Sequence, residues 1–371
     1  MKISVITRHA ISNYGSVLQA YALQTVLENM GHNTEIIDYI REDEDYRNIT
    51  GTLLGKNAEW SKSLTTKTLY RLILAPEYKA AGRRFETFRR QMLKLTRRYS
   101  SLAELISHKP QADLYCTGSD QVWGPIGNEA YDPAYFLAFT EDSDKRISYA
   151  GSFGKTDLES MVSLCYKEYL KRYDCISVRE KSAISAVNEM GLTNAFQVLD
   201  PTLLLAREEW EKRIDRKNGD YVLVYQLHKN KQMDIYAKRF ADRAGLSMVR
   251  ITPFMHQITR GGKLVYLPSP GEFLAHIKNA RYMITDSFHG TAFAILFGTQ
   301  FIDILPGETG TRNQSLLELL GLTDRILRDD SDYSLMDRKI DFSKVHDTLS
   351  AERLKSLSTL YEMIKAVKEA S

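Results

Sequence analysis

The feature that most limits what this chain can fold into is an alternation of short apolar strands with helices, repeated in two series. "KISVIT" (2–7) is a buried-type strand. A turn-rich loop, "RHAISNYGS", leads into "VLQAYALQTVLENMG", where Leu18, Ala22 and Val26 recur at helical spacing and Gly31 closes the helix. "TEIIDYI" is the next strand. Such a strand–helix–strand start favours a parallel sheet covered by helices. Strand-type segments resume at "ADLYCTG" (112–118), "RISYAG" (146–151), "DCISVR" (174–179) and "AFQVLD" (195–200), with helical stretches at 156–172 and 180–190. A second series starts near Tyr221. Its strands are "YVLVYQL", "LSMVRI", "RYMIT" and "QFIDIL"; its helices are "KQMDIYAKRFADRAG", the capped "SPGEFLAHIKNA" and "GTAFAILFG". The chain's 371 residues exceed one ordinary core. The expected fold class is therefore α/β, with two doubly wound domains joined around Pro201 to Trp210. "LSAERLKSLSTLYEMIKAVKEA" reads as an amphipathic C-terminal helix that needs a surface to dock on.

Residues 42–108 break the alternation and are helical by propensity. Within them, "GRRFETFRRQMLKLTRRY" (82–99) sets Arg83, Arg84, Arg89, Arg90, Lys94, Arg97 and Arg98 against Glu86 alone. Phe85, Phe88, Met92 and Leu95 interleave at roughly helical spacing, so one face is apolar and the other cationic. Such a helix either docks on a core with its basic face solvated, or lies against anionic lipid headgroups.

Composition narrows the function classes. Hydrophobic residues make up 43% and charged residues 26%, as in a soluble globular protein. The formal net charge of +3 is too small for a typical nucleic-acid binder of this size. Cys116, Cys165 and Cys175 have no metal-type spacing and fit core thiols in a reducing cytoplasm. "MKISVITRHA" reads as a strand without the apolar stretch of a signal peptide, and no run of ~18 apolar residues suits a membrane span.

In open α/β sheets, ligands bind beyond the carboxyl ends of the strands, so candidate residues are those that follow each strand. After the first come Asn13, Tyr14, Gly15 and Ser16, where a glycine turn and a helix N-terminus suit close approach to an anion, or simply make an ordinary β–α turn. After "ADLYC" come Asp120, Gln121 and Trp123: a carboxylate that is either a general base or a helix cap, and an indole able to wall a pocket. Arg179 ends "DCISVR" and offers a planar fork for carboxylate or phosphate, unless Glu180 merely pairs with it. Asp200 precedes Pro201, chiefly as a turn or helix-start device. The densest cluster is "TDSFHGT". Asp286 or Ser287 can cap the following helix, and His289 can present an imidazole at its positive end, beside Gly290 and Thr291. Arg312 stands before a further helix as a second cation or a surface residue. No HExxH, P-loop or G-x-S-x-G pattern is present.

Taken together, "SNYGSVLQAYALQ", "TGSDQVW", "YAGSFG", "ISVRE", "LDPTLLL" and "TDSFHGTAFAILFG" resemble the polysaccharide pyruvyl transferase family, in a "DSFHG" branch, over about Ile3 to Leu322. The resemblance implies a fold like the B-type glycosyltransferases, two Rossmann-like halves with a central cleft. On that pattern residues 1–206 form the acceptor side, with 42–108 inserted, and residues 207–345 the donor side, while 346–371 form a helix packing back on the first half. It also implies transfer of the enolpyruvyl carbons of phosphoenolpyruvate to hydroxyls of a cell-surface polysaccharide, exopolysaccharide or capsule, or its lipid-linked precursor. The products are a pyruvate ketal and free phosphate, and no cofactor or metal is needed. The expected place is the cytoplasm, peripheral at the inner membrane face if the basic segment meets lipid. His289 matches the family histidine and is the expected catalytic acid, with Asp120 as base. Arg179 matches a family arginine; donor contacts are expected from it and from Ser287, Gly290, Thr291 and Arg312. Acceptor contacts are expected from Asn13, Tyr14, Gly15, Ser16, Gln121 and Trp123. The chain departs from the family where Ser287-Phe288-His289-Gly290 replaces Arg-Leu-His-Gly, which leaves Arg312 as the candidate for the missing charge. The alternatives are a nucleotide-sugar glycosyltransferase of the same fold and a non-catalytic glycan-binding relative.

Overall fold

A computed structural model describes residues 1–48, 51, 63–126, 131–154, 160–193, 195–214, 219–307 and 310–369. Parts of the expected insertion (49–50 and 52–62) and of the expected helix 156–172 (156–159) lie outside the described residues. The chain divides into two compact units: the first holds residues 1–153 and 160–176, the second residue 154 and residues 177–371.

In the first unit, β1 (Lys2–Ile6), β2 (Asn33–Tyr39), β3 (Leu95–Tyr99), β4 (Leu114–Thr117) and β5 (Arg146–Gly151) lie in the order β3-β2-β1-β4-β5, and the start of β6 (Cys175–Val178) follows. The β1, β2, β3, β4 and β5 pairings are parallel. Ile3, Val5 and Ile6 are all fully buried, because helices close both faces of a parallel sheet and a central strand needs no polar side. The helices are α1 (Tyr14–Asn29), α2 (Leu64–Met92), α3 (Leu102–Ser107) and α4 (Ser160–Leu170). Helix α1 starts where Asn13 accepts the Gly15 N–H, and it ends before Gly31 at φ +85°.

The basic segment 82–99 is not one helix. It stays helical to Met92, and Leu95–Tyr99 then pairs with β2 as the edge strand β3. The exposed edge of β2 needs partners for its backbone groups, and this outweighs the local helix propensity. Its cations are not a bare face either. Arg98 reaches Asp38 at 3.1 Å and Glu86 at 2.8 Å; Arg90 pairs with Glu86, Arg97 with Glu104 and Lys94 with Glu28. Arg89 is 2% exposed and donates to Ala10 O at 3.0 Å.

The second unit begins with the end of β6, continues through α5 (Lys181–Glu189) and β7 (Ala195–Gln197), and then makes the short α6 (Pro201–Leu204) and α7 (Arg207–Glu211). Strands β8 (Tyr221–Tyr225), β9 (Ser247–Thr252), β10 (Lys263–Tyr266), β11 (Tyr282–Thr285) and β12 (Gln300–Asp303) form a second parallel sheet, order β10-β9-β8-β11-β12. Its helices are α8 (Lys231–Ala244), α9 (Pro270–Asn279), α10 (Phe288–Phe297), α11 (Thr311–Leu319) and α12 (Phe342–Glu369). Val222, Val224, Ile284 and Ile302 pack under Tyr236 and Phe240 of α8. Helix α9 has the capping box its sequence announces, Ser269 with Glu272. The C-terminal helix starts at Phe342, earlier than its sequence pattern suggests, because Asp341 accepts the Ser343 N–H and caps it. It docks on α6 and α10: Arg353 donates to Leu203 O at 2.7 Å and Ser356 Oγ accepts Leu199 N–H at 3.0 Å.

Candidate functional site

In the first unit the strand order reverses between β1 and β4, and the loops after these strands carry the first group of candidates. Asn13 Oδ1 accepts the Gly15 N–H at 2.8 Å. Ser16 Oγ donates to Asp120 Oδ2 at 2.9 Å, which ties the first turn of α1 to the loop after β4. Asp120 takes the Gln121 N–H on its other oxygen at 2.9 Å and holds φ at +79°. That region is uncommon for any residue but glycine, and aspartate is among those that enter it. Asn13, Gly15, Ser16, Asp120 and Gln121 are thus brought together. Tyr14 and Trp123 are core groups. Tyr14 is buried against Phe85, centroids 4.9 Å apart. Trp123, expected to wall a pocket, is fully enclosed, stacked on Phe136 and over Gly151, where an added Cβ would sit 2.7 Å from the indole.

In the second unit the order reverses between β8 and β11, and "DSFHG" is the turn from β11 into α10. Ser287 caps α10 by accepting the Gly290 N–H at 3.2 Å. Asp286, the other expected cap, instead takes Leu227 N–H, His228 N–H and His228 Nδ1 at 2.7, 2.9 and 3.1 Å, fixing the loop after β8. Gly290 is glycine because the helix presses on β11: an added Cβ would lie 2.7 Å from Thr285 Oγ1 and 2.9 Å from Met283 Cε. Thr291 is buried and donates to Asp303 Oδ2 at 2.5 Å. Ser287, Gly290 and Thr291 therefore build the turn, and the side chain it presents is His289.

His289 is 4% exposed, with Nε2 3.7 Å from Asp200 Oδ2. Arg179, just past β6, donates from Nη1 to the same oxygen at 2.9 Å. Its Nε is 3.8 Å from Glu180 Oε2, and its guanidinium lies 4.6 Å over the Phe288 ring. Arg312, in the first turn of α11, lines with Arg179, Asp200 and Phe288 a cavity of about 60 Å³. Arg179 and His289 thereby meet at Asp200, and Arg312 lines the same cavity as Arg179 and Asp200.

Asp200 is the residue whose weight the sequence understates. Its Oδ1 does what an Asp before Pro should: it accepts Thr202 N–H at 3.0 Å and Thr202 Oγ1–H at 2.7 Å, capping α6. Its Oδ2 faces Arg179 and His289. Burial works against the charge, yet His289, Arg179 and the Thr202 N–H prevail and hold the carboxyl well below the ordinary range. The D-P pair signals the cap; nothing local signals an arginine 21 residues away. The cluster sets two guanidinium groups, Arg179 and Arg312, on one cavity, with Asp200 Oδ2 facing both Arg179 and the His289 imidazole.

A second concavity, about 780 Å³, opens at the β8/β11 reversal between His228, Lys229 and Lys231 on one wall and Ile304, Leu305 and Pro306 on the other. The cationic wall is preformed. Gln226 donates to His228 O and Asn230 O at 3.0 Å each and accepts from buried Arg250 at 2.9 Å. Among the described residues, no group of three or more His, Cys, Asp or Glu side chains is disposed to hold a metal ion. Among them, too, no helix is long and apolar enough to cross a membrane.

A family model described as polysaccharide pyruvyl transferase matches residues 13–305. No curated protein matches the sequence. Among solved structures, the chain is similar to a protein assigned as UDP-N-acetylglucosamine 2-epimerase from Listeria monocytogenes, with TM-score 0.55 at 11% identity over 94% of this chain and 90% of that one. It is similar to the UDP-GlcNAc 2-epimerase of Neisseria meningitidis bound to UDP-GlcNAc, with TM-score 0.52 at 9% identity over 98% and 99%. An alpha-glucosyltransferase in complex with UDP and DNA gives TM-score 0.50 at 10% identity over 99% of each chain. At these identities the likeness concerns the fold alone, and that fold is the B-type glycosyltransferase fold expected from the sequence.

Proposed function

The chain belongs to the polysaccharide pyruvyl transferase family, and from that premise we propose that it moves a pyruvyl group from phosphoenolpyruvate to sugar hydroxyls of a polysaccharide or its precursor. The observation that carries this reading is the meeting of Arg179 and His289 at Asp200, beside a cavity that Arg179 and Arg312 both line. The donor bears a carboxylate and a phosphate, and two guanidinium groups suit two anions. Ser287 stands where the family often has arginine, and its hydroxyl is committed to the α10 cap. Arg312 lines the same cavity as Arg179, which supports it as the second cation.

In this scheme His289, its Nε2 3.7 Å from Asp200 Oδ2, gives a proton to the donor methylene. A sugar hydroxyl adds to the enol carbon and loses its proton to a base, for which Asp120 is the candidate. Phosphate then leaves with its oxygen, a second hydroxyl adds and loses its proton, and the ketal closes. Each step conserves atoms: one donor and one diol give one ketal and one phosphate. The many ion pairs along residues 86–98 support the core-docked reading of the basic segment over a lipid-facing one.

A nucleotide-sugar donor is the second reading. The preformed wall of the 780 Å³ cleft, which carries Lys229 and Lys231, favours it. The deciding experiment incubates the protein with phosphoenolpyruvate and an acceptor glycan, measuring released phosphate and the acceptor mass. Phosphate release matched by a one-pyruvyl mass gain supports the first reading. Release without mass gain, or no release while a nucleotide sugar is consumed, rejects it.

A further inference from the structure

We propose that Asp303 is a positioning residue: from the end of β12 it pins the first turns of α10 and α11 to one another, and so sets where His289 and Arg312 stand. The inference rests on the reading of those two residues as donor-side groups. Asp303 is fully buried. Its Oδ2 accepts Thr291 Oγ1–H at 2.5 Å and Asn313 Nδ2–H at 2.8 Å. Thr291 is two residues past His289 on α10, and Asn313 is next to Arg312 on α11. A single carboxylate oxygen therefore holds both helices at the turns that carry the candidate groups.

A carboxylate inside the apolar run "QFIDIL" is costly for a strand that leucine or valine would fill better. Burial, with Asp286 at the end of β11, pushes it up to about 7, against the pull of the Thr291 and Asn313 bonds. Its Oδ1 takes no hydrogen bond among the described residues, while Oδ2 keeps both helices. The other charged groups on the elements packed around it are His289 on α10, Arg312 and Glu318 on α11 and the Asp324–Arg325 pair beside β12. A residue that weakens its own strand and ties down two neighbouring helices is there for the helices.

The test compares Asp303→Asn, Asp303→Ala and Thr291→Val. The readouts are the His289 ring signal in NMR, assigned by its loss in His289→Gln, and kcat and KM with phosphoenolpyruvate. Asp303→Asn still accepts both bonds, so its ring signal stays at the wild-type position and kcat stays within about threefold. Asp303→Ala and Thr291→Val shift the ring signal and lower kcat about 10–100-fold, the scale of a displaced catalytic group. Thr291→Val keeps the test open if Asp303→Ala does not fold. An unshifted His289 signal in Thr291→Val overturns the proposal, as does a loss of melting temperature alone with signal and kcat intact. If the wild type does not turn over phosphoenolpyruvate, that failure belongs to the donor assignment, and the ring signal still decides the role of Asp303.

Discussion

Replacing Asp200 probes the centre of the cluster. Asp200→Ala removes two things at once: the cap on α6, worth about 1 kcal/mol, and the counter-charge of a guanidinium that is almost wholly enclosed. Removing one partner of a buried ion pair costs about 3–5 kcal/mol, because the other charge stays in a low-dielectric site. Glu180 Oε2, at 3.8 Å from Arg179 Nε, offsets part of this, so the expected total is about 3–5 rather than the full sum of the two effects. Asp200→Asn separates them, since asparagine caps as well as aspartate but carries no charge; it should lose about 2–4 kcal/mol. Urea titration of wild type and both variants measures this, followed by fluorescence of Trp210, whose indole N–H donates to Thr202 O at 3.0 Å. The pH dependence is a second check. The folded carboxyl sits below its unfolded value of about 4. Below that pH the unfolded chain binds the extra proton, so the stability Asp200 contributes is present at neutral pH and is lost as pH falls. The variants should lack this acid-side slope. A loss under about 1 kcal/mol in Asp200→Ala, with an unchanged acid slope, would show that Asp200 is only a turn residue.

Four further outcomes are expected. Gly290→Ala should destabilise the second unit by about 1–3 kcal/mol, because its Cβ meets Thr285 Oγ1 and Met283 Cε; an unchanged urea midpoint would mean that α10 can shift off β11 freely. Arg179→Lys should weaken phosphoenolpyruvate binding by about 1–3 kcal/mol through loss of the planar fork, and equal affinity by calorimetry would make Arg179 structural. Asp303 is raised to about 7, so the unfolded chain ionises first; stability should fall by up to about 4 kcal/mol as pH rises from about 4 to 7, then level off, and Asp303→Asn should flatten that slope. Arg89→Ala should lower stability because Arg89 is buried, whereas Arg90→Ala should leave both stability and co-sedimentation with anionic vesicles near wild type; salt-sensitive vesicle binding lost in Arg90→Ala would restore the lipid-facing reading.

The sequence by itself determined what depends on near neighbours. The apolar run of β1, the helical spacing of Leu18, Ala22 and Val26, and the Ser269–Glu272 box all act within a few residues, so their elements could be read directly. The turn from β11 into α10 was legible for the same reason, with Ser287 three residues before the N–H it caps. Edge strands were not. Segment 95–99 carries a helix-compatible pattern and is a strand only because β2 offers unpaired backbone groups, and 263–266 is a strand only because β9 lies beside it. Burial of particular polar and aromatic groups was also decided in three dimensions. Arg89 and Trp123 look like surface and pocket residues in the chain and are enclosed in the fold. The candidate cluster shows the division most clearly. Arg179 and His289 could be named from their places after strands, but Asp200, which faces both, reads locally as a cap. Asp303 reads as an oddity in an apolar strand, and its two partners lie 12 and 10 residues away on different helices. A carboxylate's first bond is often to its own turn, where sequence spacing shows it. The charge it neutralises or the helix it pins comes from another element, and only the packing of those elements brings the two within reach.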